Sequence, residues 1–167
     1  MAADDPADRS SSPGDVWTGG GAGTLLSQAE RQAILSELGL MALGKKSFQA
    51  VLDEAVVRIR AGLGVDTCTA LELLPGGKML VCRAGAGWLD PITGVLIDAG
   101  IGSPAGYALL SSEPVVAEDF ATETRFSAPP VFSRQRLRSG MSLIIHGRDR
   151  PFGVFSVQCA RPRKYTK

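Results

Sequence analysis

The sequence predicts an α+β domain built on a mostly antiparallel sheet of about five strands, with helices on one face and long loops plus a short helix over the other. Three observations lead there. Residues 48–63 carry apolar side chains at helical spacing, two segments read as β-hairpins with period-two alternation, and a Ser-Pro helix start lies between the hairpins. A chain of 167 residues is enough for one core with a tail.

The first 23 residues mix Asp, Ser, Pro and Gly around a single Trp17 and predict a flexible tail, with one domain over 24–167. A helix is then expected from Ser27-Gln28-Ala29-Glu30, a capping box in which hydroxyl and carboxylate satisfy free amides. Ile34, Leu38 and Met41 give it a narrow apolar stripe, of the kind that packs on its own domain or pairs subunits. Gly44 interrupts the pattern. Ser47 can cap a second helix whose face Phe48, Val51, Leu52, Ala55, Val56, Ile59 and Leu63 must lie on a core.

From Val65 the period becomes two. Thr67, Thr69, Leu71 and Leu73 alternate with Cys68, Ala70 and Glu72, and Pro75-Gly76-Gly77 turns the chain into a partner strand over 78–84. The stretch 85–102 reads as loop, with five glycines, Pro91 and an exposed Trp88. Ser103 at the N-cap and Pro104 at the first helical position then start a short helix reaching about Leu110. A strand over 114–117, an irregular segment over 118–130 and a helical turn over 131–137 follow. The last hairpin joins 141–146 to 152–159 through Gly147-Arg148-Asp149-Arg150. The face beneath 85–102 and 118–137 is the natural place for a pocket, because rigid strands hold loops above it.

Composition excludes several function classes. With 44% hydrophobic and 21% charged residues and a formal net charge of +1, no field favours nucleic acid. No run approaches a membrane span and the N-terminus lacks a signal peptide's apolar core, so a cytoplasmic protein is expected. Cys68, Cys82 and Cys159 form no C-x-x-C pair and read as buried free thiols. The single histidine, His146, sits before a tight turn, so neither a catalytic triad nor a zinc site is expected. The run Gly19–Gly23 has no preceding strand and is no phosphate loop. No metal is indicated and the cofactor is left unassigned.

Several residues could carry recognition. Glu118, Asp119 and Glu123 ahead of Arg125 read as a solvated or salt-bridged loop rather than an acid–base site. Arg134, Arg136 and Arg138 alternate on one segment, either as a solvated face or as a receiver for phosphate or carboxylate. Trp88, Phe120, Phe126 and Phe132 either line a cavity or anchor loops to the core.

Several local sequences are specific in combination: Ala61-Gly62-Leu63-Gly64, Gly100 to Ala108, Glu113 to Asp119, Arg125-Phe126-Ser127, Ser139 to Ile145, and Arg150 to Val157. Through them the chain resembles the GAF domain family over about Ser27 to Thr166, a GAF/PAS-like architecture. The last two segments look most like GAF domains of bacterial sensor histidine kinases and cyclic-di-GMP signalling proteins. The resemblance implies a sensory or regulatory domain of a multi-domain signal-transduction protein, not an enzyme, that binds a small molecule or relays a signal. It also implies a homodimer through the N-terminal helix and a covalently linked output domain.

The ligand-binding candidates are Trp88, Tyr107, Asp119, Phe126, Phe132, Arg138 and Ser139, with no catalytic residue. Family members usually continue into a further helix that this chain lacks, so a fragment of a longer protein is expected. The cyclic-nucleotide signature of phosphodiesterases is not recognisable, and no cysteine stands beside His146 for a bilin. Two alternatives remain, a stand-alone free methionine sulfoxide reductase and a ligandless dimerisation module.

Overall fold

The computed structural model describes residues 32, 33, 36, 47–111 and 113–165. Gln32, Ala33 and Ser36 are helical. The expected tail and the rest of the first helix, with its dimer stripe, lie outside the described residues. In chain order the elements are α1 (Phe48–Leu63), β1 (Thr67–Leu73), β2 (Met79–Ala86), β3 (Leu96–Asp98), α2 (Pro104–Leu109), β4 (Val115–Ala117), α3 (Pro130–Arg134), β5 (Ser139–His146) and β6 (Pro151–Cys159).

Helix α1 forms where its sequence signals put it. Ser47 is its N-cap and accepts a hydrogen bond from the Ala50 amide at 3.3 Å. Gly64 ends it in the left-handed region at φ 57°, a conformation glycine adopts without strain. Leu52, Ala55 and Val56 are buried, and Leu52 and Val56 pack with Cys68, Ala70, Ala84, Val157 and Cys159. Each large apolar side chain sealed there contributes about 1.5–3 kcal/mol.

All strand pairs are antiparallel and the order is β3-β2-β1-β6-β5-β4, so β1 and β6 are central. The sheet has six strands rather than about five. The extra one is β3, within the stretch expected to be loop. It pairs Leu96, Ile97 and Asp98 with Val81, Leu80 and Met79. Three residues are too few to show an alternation.

The two faces carry separate cores. Cys68 and Ala70 face α1, whereas Leu71, Leu80, Cys82 and Val154 face α2, with Ala105, Ala108, Val115 and Phe126. A bulge in the β1–β2 ladder after Ala70 pairs Ala70 with Ala84 and Leu71 with Cys82, which puts Cys82 and Ala84 in opposite cores. Among the described residues no helix is long and apolar enough to cross a membrane.

Candidate functional site

The covered face holds the site. Two short helices and two loops lie over β1, β6 and β5, each held by its own local chemistry. Ser103 caps α2 by accepting from the Gly106 amide at 2.9 Å and donates to the Asp98 carbonyl at 2.8 Å, which ties α2 to β3. Gly106 is required there, because a Cβ would come within 2.0 Å of the Gly100 carbonyl. Gln135, just past α3, donates to the Gly87 carbonyl at 2.6 Å and accepts from the Leu89 amide at 3.0 Å. That one side chain fastens the segment carrying Trp88 to α3.

Beneath the cover lies a small cavity lined by Thr69, Leu71, Trp88, Ile92, Phe132 and Gln158, among others, enclosing about 20 Å³. That is room for about one water molecule. A second void of about 10 Å³ lies beside it, toward Phe120, Phe126, Gly140 and Ser142. Phe132 and Gln158 line both. The ring of Phe132 stands 6.1 Å from Trp88 and 5.2 Å from Phe120, so three aromatic rings run in a row over the sheet. Outside this row, Trp88, Pro91, Val95 and Arg134 contribute to an outer groove of about 90 Å³.

Glycines make the row possible. Gly85 lies opposite Thr69 on β2, and a Cβ on it would stand 2.3 Å from Ile92 Cγ2 and 3.2 Å from Trp88 Cδ1. Gly140 likewise leaves space for Phe120, whose Cζ would be 2.9 Å from an added Cβ.

The floor is polar, and the sequence reading did not single it out. Thr67, Thr69, Ser142, Ser156 and Gln158 are all buried, on β1, β5 and β6. Thr67 Oγ1 donates to Gln158 Oε1 at 2.5 Å, Ser142 and Ser156 share a hydroxyl–hydroxyl bond of 2.8 Å, and Thr69 donates to the Ser156 carbonyl at 3.3 Å. The signal was present as hydroxyl and amide residues at every second position of TCTAL and SVQC. Only the strand pairing shows that they share a face.

The predicted residues divide into groups. Trp88 and Phe132 line the cavity, and Phe126 lines the neighbouring void. Trp88 is half-buried rather than exposed, because its indole packs against the core and donates to the Cys68 carbonyl at 3.4 Å. Tyr107 packs on Phe126 at 5.5 Å, and the Arg125 guanidinium lies over both rings. Arg125 also pairs with Glu123 at 2.6 Å and donates to the Val116 carbonyl. Its hydrogen bond holds the Glu123 carboxyl down to about 2 against the opposing effect of burial.

Asp119 and Arg138 lie outside the cavity linings and satisfy each other through two hydrogen bonds of 3.1 and 2.6 Å. That hydrogen bonding lowers the carboxyl pKa and raises the guanidinium's. Ser139 faces the other side of the sheet. Its hydroxyl donates to the Arg161 carbonyl at 2.7 Å and meets the Tyr165 hydroxyl at 3.4 Å, beside Cys159. The physical reason is parity, since Ser139 pairs with Cys159 while Gly140 pairs with Gln158. The run of three arginines does not act as a unit: Arg138 is taken by Asp119 and Arg134 lines the outer groove.

The three cysteines are buried on β1, β2 and β6. Burial pushes the thiol of Cys68 up to about 12 and that of Cys82 up to about 11. His146 ends β5 and is exposed. Among the described residues no cluster of three or more His, Cys, Asp or Glu could hold a metal ion.

Comparison with known proteins agrees with this architecture. A family model described as GAF domain matches residues 47–167. No curated protein matches the chain. Among solved structures, it is similar to the GAF domain of the Acinetobacter phosphoenolpyruvate-protein phosphotransferase, at 22% identity and TM-score 0.72, covering 85% of this chain and 84% of that one. The GAF domain of a phosphoenolpyruvate-protein phosphotransferase from Coxiella burnetii matches at 17% identity and TM-score 0.73, covering 84% of each chain. Free methionine-R-sulfoxide reductase from Neisseria meningitidis, solved with its substrate, matches at 15% and 0.68, covering 84% of this chain and 81% of that one. These likenesses establish the fold.

Proposed function

This chain belongs to the GAF domain family, and from that premise we propose that it is the sensory domain of a cytoplasmic multi-domain signalling protein, and not an enzyme. GAF domains generally sense small molecules or regulate. The observation that carries the sensory reading here is the enclosed space between the sheet and its covering loops, with a hydrogen-bonded polar floor and an aromatic wall. A core that served packing alone gains nothing from five buried polar side chains, since each must find a partner or lose free energy.

The host we propose is a sensor histidine kinase or a cyclic-di-GMP enzyme, on the strength of the segments now seen as β5 and β6. A small molecule that binds one arrangement of the covering loops better than another shifts their populations, and the first helix, paired in a homodimer, passes that bias to an output domain. Of the expected binding residues, Trp88, Phe126 and Phe132 are the ones we infer to touch such a molecule, because they line the voids. Tyr107 and Arg125 hold the loop beneath which it would sit.

The free methionine-R-sulfoxide reductases share the fold, but chemistry of that kind needs an accessible thiolate. Buried thiols pushed up to about 11 and 12 favour the non-enzymatic reading. Native mass spectrometry of the full chain purified from its own cells tests the proposal. A retained small molecule is the expected result. A bare dimer would replace ligand sensing by a ligandless relay, which the filling of the pocket by Phe126 and Phe132 would then explain. A bare monomer would overturn both.

A further inference from the structure

The chemistry of the cavity floor restricts what it can bind. Gln158 is 2% exposed, and its Oε1 is occupied by the Thr67 hydroxyl. Its Nε2 has no hydrogen-bond partner among the described residues, yet no side-chain polar atom among them is both sealed and unpaired. The two facts are reconciled if the amide nitrogen opens onto the voids that Gln158 lines, since the Thr67 bond turns the oxygen toward β1. An amide donor in such a place leaves a hydrogen bond to be made.

No ionisable side chain lines either void. A charged ligand group would therefore enter without a counter-charge to offset its desolvation. A neutral acceptor, a carbonyl oxygen or an unprotonated ring nitrogen, avoids that penalty and completes the floor.

The shape argues for a planar molecule. Phe132 lines both voids, together with Pro104 and Gln158, and its ring is set between Trp88 and Phe120. It stands on a helix of five residues whose N-cap, Pro129, makes no side-chain capping bond. A single turn without a side-chain cap is held by the packing of Phe132 and the two Gln135 hydrogen bonds, a short list of contacts to exchange. Withdrawal of the Phe132 ring would leave a slot, the space of one aromatic ring between Trp88 and Phe120, continuous with the voids that Gln158 lines.

We propose that this slot takes the uncharged, acceptor-bearing end of a small planar molecule, which replaces the Phe132 ring and hydrogen-bonds to Gln158 Nε2. The inference rests on the sensory reading and adds the ligand's chemistry and the residue it displaces.

Benzamide and benzoate are suitable probes, nearly identical in shape and differing in charge. In the full chain carrying Trp17→Phe, so that Trp88 is the only tryptophan, Phe132→Ala opens the slot. Trp88 fluorescence should then report benzamide binding at least about tenfold tighter than benzoate. Gln158→Met, which keeps the length of the side chain and removes the donor together with the oxygen that Thr67 bonds, should weaken benzamide about tenfold, equivalent to about 1.4 kcal/mol. In the wild-type chain, millimolar benzamide should shift the side-chain amide NMR signals of Gln158, a readout independent of whether Phe132→Ala folds. Equal binding of the two probes, benzamide binding indifferent to Gln158→Met, or no binding in the variant together with no amide shift in the wild type would each overturn the proposal. A retained small molecule in native mass spectrometry alongside such a failure would leave the sensory reading standing and remove only the ligand class.

Discussion

Gly85→Ala tests whether the aromatic wall is seated by the absence of a side chain on β2. By local propensity alone the change should stabilise, since glycine in a strand interior costs about 0.5–1 kcal/mol relative to alanine. The geometry reverses that sign. The new methyl would stand 2.3 Å from Ile92 Cγ2 and 3.2 Å from Trp88 Cδ1. Carbon atoms rest about 3.5–4.0 Å apart, so Ile92 must retreat by more than an ångström. Ile92 is 7% exposed and packs with Leu71, Leu80 and Cys82, so it can yield only toward the small cavity and the outer groove that it borders, against the Trp88 ring.

Overpacking of that kind costs about 1–3 kcal/mol, so the net expectation is destabilisation by about 1–2 kcal/mol. Gly102→Ala is the matched control, because nothing lies within 4 Å of an added Cβ and its φ is not in the left-handed region. It should be neutral or stabilise by up to about 1 kcal/mol. Urea denaturation of both variants, with m-values compared, gives the two numbers. If Gly85→Ala proves as stable as the wild type and its Trp88 emission is unmoved, the account of the wall is wrong.

Three other outcomes follow from local chemistry. The Glu123–Arg125 pair should contribute about 1–2 kcal/mol at neutral pH, less than the carboxyl shift alone implies because the arginine side chain is 41% exposed and its charge is partly screened. Because the folded pKa is depressed, that contribution is present above about 4.5 and fades toward about 2, so wild type and Glu123→Gln should converge in stability across that window. Cys68, Cys82 and Cys159 should resist a thiol reagent such as DTNB in the native protein and react on unfolding; rapid native labelling would revive the reductase reading. Ser47→Ala removes the α1 cap and should cost about 1 kcal/mol, read as a lowered urea midpoint.

Legibility in the sequence followed how local each determinant was. Helix α1 was readable to its ends because cap, apolar face and left-handed glycine lie on one continuous segment. The two hairpins were readable because turn residues sit between alternating runs. Strand β3 was not, since its existence depends on the edge offered by Met79, Leu80 and Val81. The polar floor depends on pairing across 91 positions, as between Thr67 and Gln158, and no local pattern states such a register. Ser139 shows the same limit from the other side. It stands next to Gly140, which borders the void, and a step of one residue puts it on the far side of the sheet.

The alternation along β1 has a mechanical consequence. Thr69 is part of the cavity floor and Ala70, its immediate neighbour, is part of the bed on which α1 rests. One layer of backbone therefore separates the inside of the chamber from the helix outside it. A guest that lifts the floor by a few tenths of an ångström has no hinge to turn and no linkage to cross; the same peptide planes it presses are those that carry the helix.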